Sequence, residues 1–500
     1  MSADTNRLRL SGVREIIGGV TPANPRLRRL RITGESLRVE PQYEVSEEIR
    51  DDRMEADPVL VDMASDGTIN GEFHYPMDKS LLSELFQSAF YNNWQLTPQH
   101  DNDGNAGVSI LSVDAATRTI TLADETGSGG FAGTSYISNR HLLLLSGFGE
   151  AANNGVVSIG SNSATSITLN TWFSPADEAT VPATARIKVV GVLCTADDIA
   201  ATTTGLASTA FSFTGLGLKV GQWIKIGGTD PASRFANAAN NGWVRITAIA
   251  AKALTLDNLP VGWAAEAATG KTLRIWFGDI LRNGTTQIST TLERGFMGQA
   301  VPTYIRQPGM VAGQLQVTFT AKQKLTTQFT FQGMAGAGPS TVALDATPDP
   351  APDNVAFPIM AASTNCGHVN EAGAALRSPN FVRSLTITLN NNTRVVDEIG
   401  TLGSPDVGEG SATVGCTLDT YFGDSTLYSK AMSGEATSIN VRAVKANRGV
   451  VFTLPRQTLR GFPTNPARNQ DSTLSLTGMA SRDPLTACHI QMDRFDYVEA

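Results

Sequence analysis

Two segments of the chain carry the apolar spacing of an amphipathic helix. After Asp78, apolar residues stand at the third, fourth, seventh and eighth positions, and the same spacing follows Asp424. An aspartate is a good N-cap, and this spacing places the apolar side chains on one helical face. The sequence therefore predicts two short helices, the second of which ends at Gly434.

Around both helices, apolar and polar residues alternate with period two. This alternation, rich in β-branched residues, predicts half-buried antiparallel strands. The clearest cases are Leu315, Val317 and Phe319, and Leu385, Ile387 and Leu389. We therefore expect a mainly β protein of the α+β type, in which each helix packs on the side of a small β-sandwich or barrel.

The segments that flank the helices also resemble each other. Ser36–Val39 and Glu48–Ile49 recur as Ser384–Ile387 and Glu398–Ile399 at a nearly constant shift. Further on, the shift becomes shorter, and two more matches follow: Leu292–Phe296 resembles Leu459–Phe462, and Gln314–Phe319 resembles Thr473–Gly478. We interpret this order as a duplicated fold with an insertion in its first copy, between about Asn93 and Phe277.

The predicted insertion contains a repeat of its own. The residues Ala151–Gly155 recur identically as Ala238–Gly242, and alternating apolar residues follow each copy. Asn-Gly is a strong signal for a hairpin turn, because both residues tolerate positive φ. We therefore expect two tandem β modules that decorate the surface and can be removed without loss of assembly.

These repeats predict a domain organisation with five parts. The expected parts are an N-terminal arm (1–33), a first discontinuous fold (34–93 and 278–335), two inserted modules (94–190 and 191–277) and a second fold (336–500).

Composition narrows the class of protein. The formal net charge of the 500 residues is −8, whereas a dedicated nucleic-acid binder carries a basic surplus. Tight DNA binding is therefore not expected, although DNA could pass without binding. No run of about 18 apolar residues occurs, so we expect no membrane span. The segment Met1–Arg14 is polar and has no apolar core, so we expect no signal peptide. The four cysteines are far apart, which favours free thiols in a reducing cytoplasm.

The chain lacks the spacings that catalysis or metal binding would need. Its five histidines form no metal-binding motif, and the glycine-rich segment Gly215–Gly221 has neither phosphate-binding spacing, so we predict a turn there. The segment His100–Asn105 resembles a calcium loop but lacks the glutamate of an EF-hand. We expect no catalytic, cofactor or metal site, and we do not expect an enzyme.

At this point several segments resemble the tail tube proteins of siphophages, which are phages with long non-contractile tails. The resemblance covers most of the chain and includes decoration repeats of that family. The matching segments are Thr33–Leu37, Ser46–Arg53, Asp66–Phe73, the helix opening at Asp78, Gly221–Gly228 and Asn240–Ile246.

The resemblance implies a structural virion protein whose rings stack into a hollow tube that conducts DNA into the host during ejection. Many such phages build each ring from six single-fold chains. Some use a doubled subunit, and the duplication found here predicts trimeric, pseudo-sixfold rings. The implied partners are other copies of the chain and the tape-measure, tail terminator and tail-tip proteins, and DNA crosses the lumen without specific binding. The implied location is the virion tail, assembled in the host cytoplasm.

Two charged segments are candidate assembly sites. A loop of mixed charge is either simply solvated or docks on its own copy in a neighbouring ring through complementary charges. Its residues are Glu47, Glu48, Arg50, Asp51, Asp52, Arg53, Glu55 and Asp57. The N-terminal arm, with Arg26, Arg28 and Arg29, is either a solvated tail or lies on a neighbouring subunit.

Two other classes of protein compete with this interpretation. A phage adhesin or tail-fibre protein that binds carbohydrate would need an exposed aromatic cluster. The concentration that the chain offers is Trp223, Trp243, Trp263 and Trp276. A hydrolase has no supporting set of residues.

Overall fold

The fold consists of two large antiparallel sheets. The computed structural model describes residues 5–52, 54–102, 109–123, 140–267, 269–334, 336–357, 368–463 and 468–499. Strands make up 46% of the chain and helices 6%, which confirms the expected mainly β fold. Within the described residues, one sheet has 17 strands and forms the body, and the other has 14 strands and forms an insertion.

The elements follow one another along the chain in three groups. The N-terminal group contains β1 (Leu8–Arg14), β2 (Arg28–Leu30), β3 (Gly34–Glu35), β4 (Arg38–Glu44), β5 (Val59–Glu72) and α1 (Leu81–Phe90). The insertion contains β6 (Gln99–Asp101), β7 (Ile110–Asp114), β8 (Thr119–Leu122), β9 (His141–Ser146), β10 (Gly155–Asn162), β11 (Ser166–Leu169), β12 (Arg186–Leu193), β13 (Ala200–Thr202), β14 (Gly205–Ala207), β15 (Trp223–Ile226), β16 (Trp243–Ala250), β17 (Ala253–Asp257), β18 (Glu266–Ala267) and β19 (Arg274–Trp276). The remainder contains β20 (Asp279–Arg282), β21 (Ser289–Phe296), β22 (Thr303–Thr320), β23 (Thr326–Gln332), β24 (His368–Glu371), β25 (Ala374–Ala375), β26 (Val382–Asn390), β27 (Arg394–Val396), β28 (Asp406–Gly408), β29 (Thr413–Tyr421), α2 (Thr426–Ser433), β30 (Ala436–Lys445), β31 (Arg448–Pro463), β32 (Thr473–Ala480) and β33 (Gln491–Phe495).

Both predicted helices are present, but both predicted caps are wrong, because the N-cap residues are Ser80 and Ser425. Ser80 caps α1, because its hydroxyl accepts the N–H of Ser83 at 3.3 Å. Asp78 is engaged elsewhere, in ion pairs with buried cations described below. At α2, the carboxylate of Asp424 accepts the N–H of Thr426 at 2.9 Å, and Gly434 ends the helix at φ 69° as predicted.

Strand order repeats in the body. The first repeat pairs its strands in the order β4-β5-β23-β22-β21, and the second in the order β26-β29-β32-β31-β30. In each repeat one long strand, β22 or β31, pairs with a different neighbour along each half. The duplication is therefore visible in the hydrogen bonding, and each repeat contributes one helix between its second and third strands along the chain.

The structure corrects two of the matches made from sequence. The counterpart of β21 is β30, although Leu292–Phe296 had been matched to part of β31. Likewise the counterpart of β22 is β31, although Gln314–Phe319 had been matched to β32. Neighbouring strands share the same alternation, so a shift of one whole strand leaves the apolar pattern intact.

The two repeats share one hydrophobic core. Phe452 of the second repeat lies 5.8 Å from Phe73 and 6.0 Å from Phe319 of the first, measured between ring centroids. Phe86 of α1 packs edge-on against Phe329 at 5.3 Å. Edge-to-face contacts of this kind add to the free energy of area burial, so the repeats stabilise each other.

The insertion also shows a repeated strand order. Its halves pair as β7-β8-β11-β10-β9-β12 and β13-β14-β17-β16-β15-β19, and they join through antiparallel pairing of β12 with β19. One apolar cluster runs through both halves.

The repeated Asn-Gly motif has a different role from the predicted hairpin turn. Residues Ala151–Asn153 and Ala238–Asn240 form short 3-10 helices. The Asn153 side chain donates to Glu178 at 2.8 Å, and Asn240 donates to Glu266 at 2.8 Å. The motif recurs because each half uses the same buried amide to hold a distant loop.

The insertion is packed on the body, which changes the expectation of a removable decoration. Trp223 and Trp276 are buried in a cluster with Val451 and Phe495 of the body. The Trp223 indole N–H also donates to the hydroxyl of Thr453 at 2.8 Å. Removing the insertion would expose this apolar face of the second repeat to water.

A buried cluster of three cations and three carboxylates lies where the insertion meets both repeats. We call it the charge cluster; its members are Asp78, Arg186, Lys188, Asp279, Arg494 and Asp496. The Lys188 ammonium lies 2.5 Å from Asp279 and 3.1 Å from Asp78, and it also pairs with Asp496. The Arg494 guanidinium stacks on Trp94 at 4.1 Å and donates to the Pro76 carbonyl at 2.6 Å.

Burial and neighbouring charge act in opposite directions on these carboxyl groups. Burial raises the pKa of Asp279, and the ammonium of Lys188 opposes this shift. Burial would also raise the pKa of Asp496, but Lys188, Arg186 and Arg494 outweigh it and lower that pKa. The cluster is therefore stable as a set of ion pairs only while every cation is present.

We predict that Lys188→Met lowers the free energy of unfolding by about 3–5 kcal/mol, because it leaves buried carboxylates without their ammonium. A carboxyl group whose pKa is raised in the folded state loses its contribution as pH rises through that value. The deficit should therefore be larger at pH 8 than at pH 5. Urea unfolding at both pH values measures it.

The matched control is Lys324→Met. Lys324 pairs with Glu72 at 2.6 Å on the surface, with 62% of its side chain exposed, so a loss below about 1 kcal/mol is expected. Equal losses for both variants, or a deficit at position 188 that does not change with pH, would contradict this view of the cluster.

Candidate functional site

The two repeats join edge to edge through a strand pair that we call the junction. Strands β22 and β26 pair from Gln314–Asn390 to Thr320–Ser384. The junction makes one continuous sheet, β4-β5-β23-β22-β26-β29-β32-β31. The chain thus contains, within itself, a contact between one repeat and the next.

A buried side chain reinforces the junction. Asn391, directly after β26, donates to the carbonyls of Ala89 and Ala312, both at 2.9 Å. Ala89 lies in the last turn of α1, whose carbonyls lack partners within the helix. Asn391 therefore ties the second repeat to the helix and the long strand of the first.

The two outer edges of this sheet are open. Among the described residues, β4 pairs only with β5, and the segment of β31 after Thr458 pairs only with β32. Ser36 donates to Thr68 of β5, so by alternation the N–H group of Val39 points away from the sheet. The N–H of Leu37, which precedes β4, donates to the Glu35 carboxylate at 2.6 Å. Exposed edges of this length favour pairing with another chain.

The central part of the sheet face that points away from the core is polar and almost uncharged. The charged residues on this face include Asp419 near the centre, which accepts from Ser384 at 3.0 Å, and Arg38, Asp66, Glu72 and Arg460 towards the edges. The neutral side chains are Thr68, Asn70, Gln314, Gln316, Thr318, Gln328, Thr330, Thr386, Thr388, Thr417, Ser475 and Thr477. Such a face offers no concentration of cations to phosphate groups.

Two loops project at the same end of the sheet. We call the connection of β4 to β5 the first loop and the connection of β26 to β29 the second loop. The Gly403 N–H of the second loop donates to Asp62 of β5 at 3.2 Å, which places both loops side by side. This is the loop end, near the pair Gln314–Asn390; we call the other end of the junction, near Thr320–Ser384, the cavity end.

The predicted charged residues of the first loop are all solvent-exposed where they are described. These are Glu47, Glu48, Arg50, Asp51, Asp52, Glu55 and Asp57, whereas Arg53 lies outside the described residues. Arg50 pairs with Asp52 at 2.8 Å. The Arg50 guanidinium donates to the Asp52 carboxylate, and this bond lowers the pKa of Asp52 and raises the pKa of Arg50.

The predicted arm lies on its own chain. Strand β1 pairs with β21, and β2 pairs with β1. Arg26 pairs with Asp349 at 2.8 Å, and Arg28 pairs with Glu84 of α1. Arg26 and Arg29 are both exposed, whereas Arg28 is partly buried against the helix.

Two further features concern ionisable side chains: a group of three carboxylates and a buried histidine. The carboxylates of Asp78, Asp279 and Asp496 are close enough together to suggest a metal site, but the Lys188 ammonium lies among them. Burial lowers the pKa of His141 to about 4, so this histidine is neutral at physiological pH.

The predicted glycine-rich turn and the predicted free thiols are both found in the described residues. Gly215 and Gly221 both have φ of 85° in the predicted turn. Three of the cysteines, Cys194, Cys416 and Cys488, are free and buried as predicted, and Cys366 lies outside the described residues. In the described part of the chain, no helix is long and apolar enough to cross a membrane.

A duplicated β fold with an internal edge-to-edge contact and open outer edges defines a structural subunit of an assembly. The family model for the phage tail tube protein matches the chain twice, over residues 5–253 and 235–480. The chain belongs to this family, whose members are structural tail proteins and not enzymes. The matched regions overlap inside the insertion, across β16. No curated protein matches the chain.

Sequence reasoning missed the residues that hold this site together. Asn391, Arg494 and Asp279 are single polar residues in β-rich segments, and their partners are hundreds of positions away in the sequence. One feature of the sequence could have indicated such residues: a polar residue stands where the alternation along a strand predicts an apolar, inward-facing one.

We predict that Asn391→Ala lowers the free energy of unfolding by about 1–3 kcal/mol, because two buried carbonyls lose their donor. Chemical denaturation measures the change. Asn93→Ala, an exposed position whose side chain accepts from Arg14 at 2.7 Å, is the control and should cost less than about 0.5 kcal/mol. Similar effects of both substitutions would argue against a special role for the junction amide.

Proposed function

We propose that this chain is the structural subunit of a siphophage tail tube and that three copies close each ring. The observation that carries the proposal is the junction. Because β31 corresponds to β22 and β4 corresponds to β26, the open edge of β31 in one copy matches the open edge of β4 in the next. Two repeats per chain then give six equivalent positions around a ring of three.

Ring closure by strand pairing also explains why the chain tolerates its open edges. Each edge that favours aggregation in an isolated subunit becomes an internal strand in the ring. Pro41 fits this arrangement: it stands on the outward-pointing side of β4, where it supplies no N–H. Inter-subunit pairing would therefore stop there, and the rest of the hairpin would remain outside the ring sheet.

The neutral polar face is the proposed lining of the lumen. Hydroxyl and amide groups keep the wall hydrated, and the scarcity of lysine and arginine avoids counterion-release binding to phosphate. DNA would pass during ejection without being held. The acidic net charge of −8 acts in the same direction.

The same proposal covers the partners and the location. Rings would stack into the tube of the virion tail, assembled in the host cytoplasm, around a tape-measure protein. The terminator and tail-tip proteins would cover the two different ends of the stack. The charged first loop and Arg29 remain the proposed contacts between subunits.

The competing adhesin proposal has no support from the tryptophans that suggested it. Trp223 and Trp276 are buried. Trp243 packs against Phe495 at 4.7 Å, and the Trp263 indole donates to the carbonyl of Thr202 at 2.7 Å. These four rings therefore do not form an exposed platform for sugar stacking.

We predict that the purified protein forms rings of three chains and that Val39→Pro prevents them. The substitution removes an outward N–H of β4 while leaving the bonds to β5 in place. Val39→Ala keeps the N–H and should still form rings. Mass photometry counts the chains, and thermal unfolding of the monomer checks the fold.

Electron micrographs of the rings provide the decisive comparison. Threefold rings for the unchanged protein and for Val39→Ala are expected. Rings of six chains, or rings that form equally well with Val39→Pro, would contradict closure through the β4 edge.

We further predict that Thr318→Arg combined with Thr388→Arg makes the polar face bind DNA. Each new phosphate contact should steepen the dependence of log affinity on log salt by about one unit. Fluorescence anisotropy with a short duplex at several salt concentrations measures this slope. Ser161→Arg combined with Thr203→Arg, at exposed positions of the insertion, is the control, and equal DNA binding by both pairs would rule out a special role for the face.

A further inference from the structure

Both projecting loops carry an isoleucine at the tip that is entirely exposed. Ile49 in the first loop is 103% exposed, and Ile399 in the second loop is 104% exposed. Each follows a glutamate, Glu48 or Glu398. Two equivalent apolar tips with the same acidic neighbour differ from the scattered apolar residues that are normal on protein surfaces.

The first loop belongs to a hairpin that extends beyond the body. Its outer part exposes apolar side chains on both strands and in the connection: Tyr43, Val45, Met54, Val59, Leu60 and Val61. A two-stranded hairpin is marginally stable by itself in water, and a contiguous apolar surface marks an interaction site. The hairpin therefore has the properties of a segment that is covered in the assembly.

A cavity of about 250 Å³ opens at the opposite, cavity end of the junction. It lies where β22 ends and β26 begins. Its apolar lining consists of Phe319, Val369, Leu376, Phe381, Val382 and Leu385. Cavities of roughly 150 Å³ accept a guest of benzene size, so this cavity has room for an isoleucine side chain.

Two arginines line the same cavity. Arg377 contacts the ring nitrogen of His368 at 3.0 Å, and the Arg383 guanidinium stacks on Tyr421 at 5.7 Å. Both side chains are exposed, and among the described residues neither forms an ion pair with a carboxylate. The cavity thus combines an apolar interior with a cationic rim.

We infer that the Ile49 tip of one copy inserts into this cavity on a copy in the adjacent ring. Glu48, beside Ile49, then faces Arg377 and Arg383 at the rim. The apolar contact provides the association energy and the charges set the orientation. The inference rests on the proposed tube function and adds the residues that would connect one ring to the next.

This contact would give the tube its direction and would let it grow ring by ring. The loop end and the cavity end differ, so the contact is heterologous and does not close on itself. Pairing through strand edges produces a closed ring with a fixed number of chains. Stacking through tips and cavities produces an open-ended tube to which further rings can be added. The two ends of the finished tube would then present different surfaces, acidic tips at one end and cationic cavities at the other.

The first test separates stacking from ring formation. Ile49→Asp should raise the protein concentration needed for tubes by roughly tenfold to a hundredfold, because a buried isoleucine is lost from each contact. Rings of three should still form. Val261→Asp, at an aliphatic position of the insertion that is 87% exposed, is the control and should leave tube formation unchanged.

The second test locates the contact. Ile49→Cys combined with Val382→Cys, in a chain that also carries Cys366→Ser, should form covalent ladders between rings under oxidising conditions. Ile399→Cys combined with Val382→Cys tests the other tip. Ladders from Ile49→Cys support the inference. Tubes that form without such ladders, or ladders from Ile399→Cys alone, overturn it, whereas failure to form rings at all would contradict the proposed function instead.

Discussion

The arrangement of this protein depends on a buried set of ion pairs in which Lys188 and Arg494 hold three carboxylates. The charge cluster draws together the segment before α1, the strand β12 of the insertion, the returning strand β20 and the C-terminal strand β33. A buried charge without a partner is strongly destabilising. Each of these segments therefore needs the others, and a chain with a large insertion folds as one body in which Trp223 and Trp276 complete the apolar contact.

On this body, duplication produces an assembly surface directly. The junction between β22 and β26 is a contact between two copies of one fold that happen to share a chain. The same fold leaves matching edges open at β4 and β31, so the contact already present inside the subunit can be repeated between subunits. In the proposed ring these edges would pair with neighbouring subunits, and a largely neutral polar wall would let a polyanion pass. The proposed function depends on the matching strand edges and on a wall that does not bind DNA, and not on any single reactive residue.

Local features of the fold could be predicted from the sequence, and the long-range ones could not. Helical spacing identified α1 and α2, and period-two alternation identified the strands of the junction. The cap of α1 was wrong because Asp78 pairs with cations more than a hundred positions away, and the Asn-Gly motif was misread because Glu178 and Glu266 capture its side chains. The strand counterparts were shifted because alternation looks the same in adjacent strands.

For the site, the sequence identified the first loop as charged and exposed. It could not show the open edges, the polar face or the cavity, which exist only once distant strands lie side by side.

Hydrogen exchange of the free and the assembled protein tests most directly whether subunits pair through the same edges as the two repeats within the chain. The amide of Val39 in β4, and those of Leu459 and Gly461 in β31, point away from their present partner strands and should exchange quickly in the monomer. All three should become strongly protected in the ring, to the level of the junction amides of β22 and β26. Assembled rings in which these amides still exchange as fast as in the monomer would contradict it.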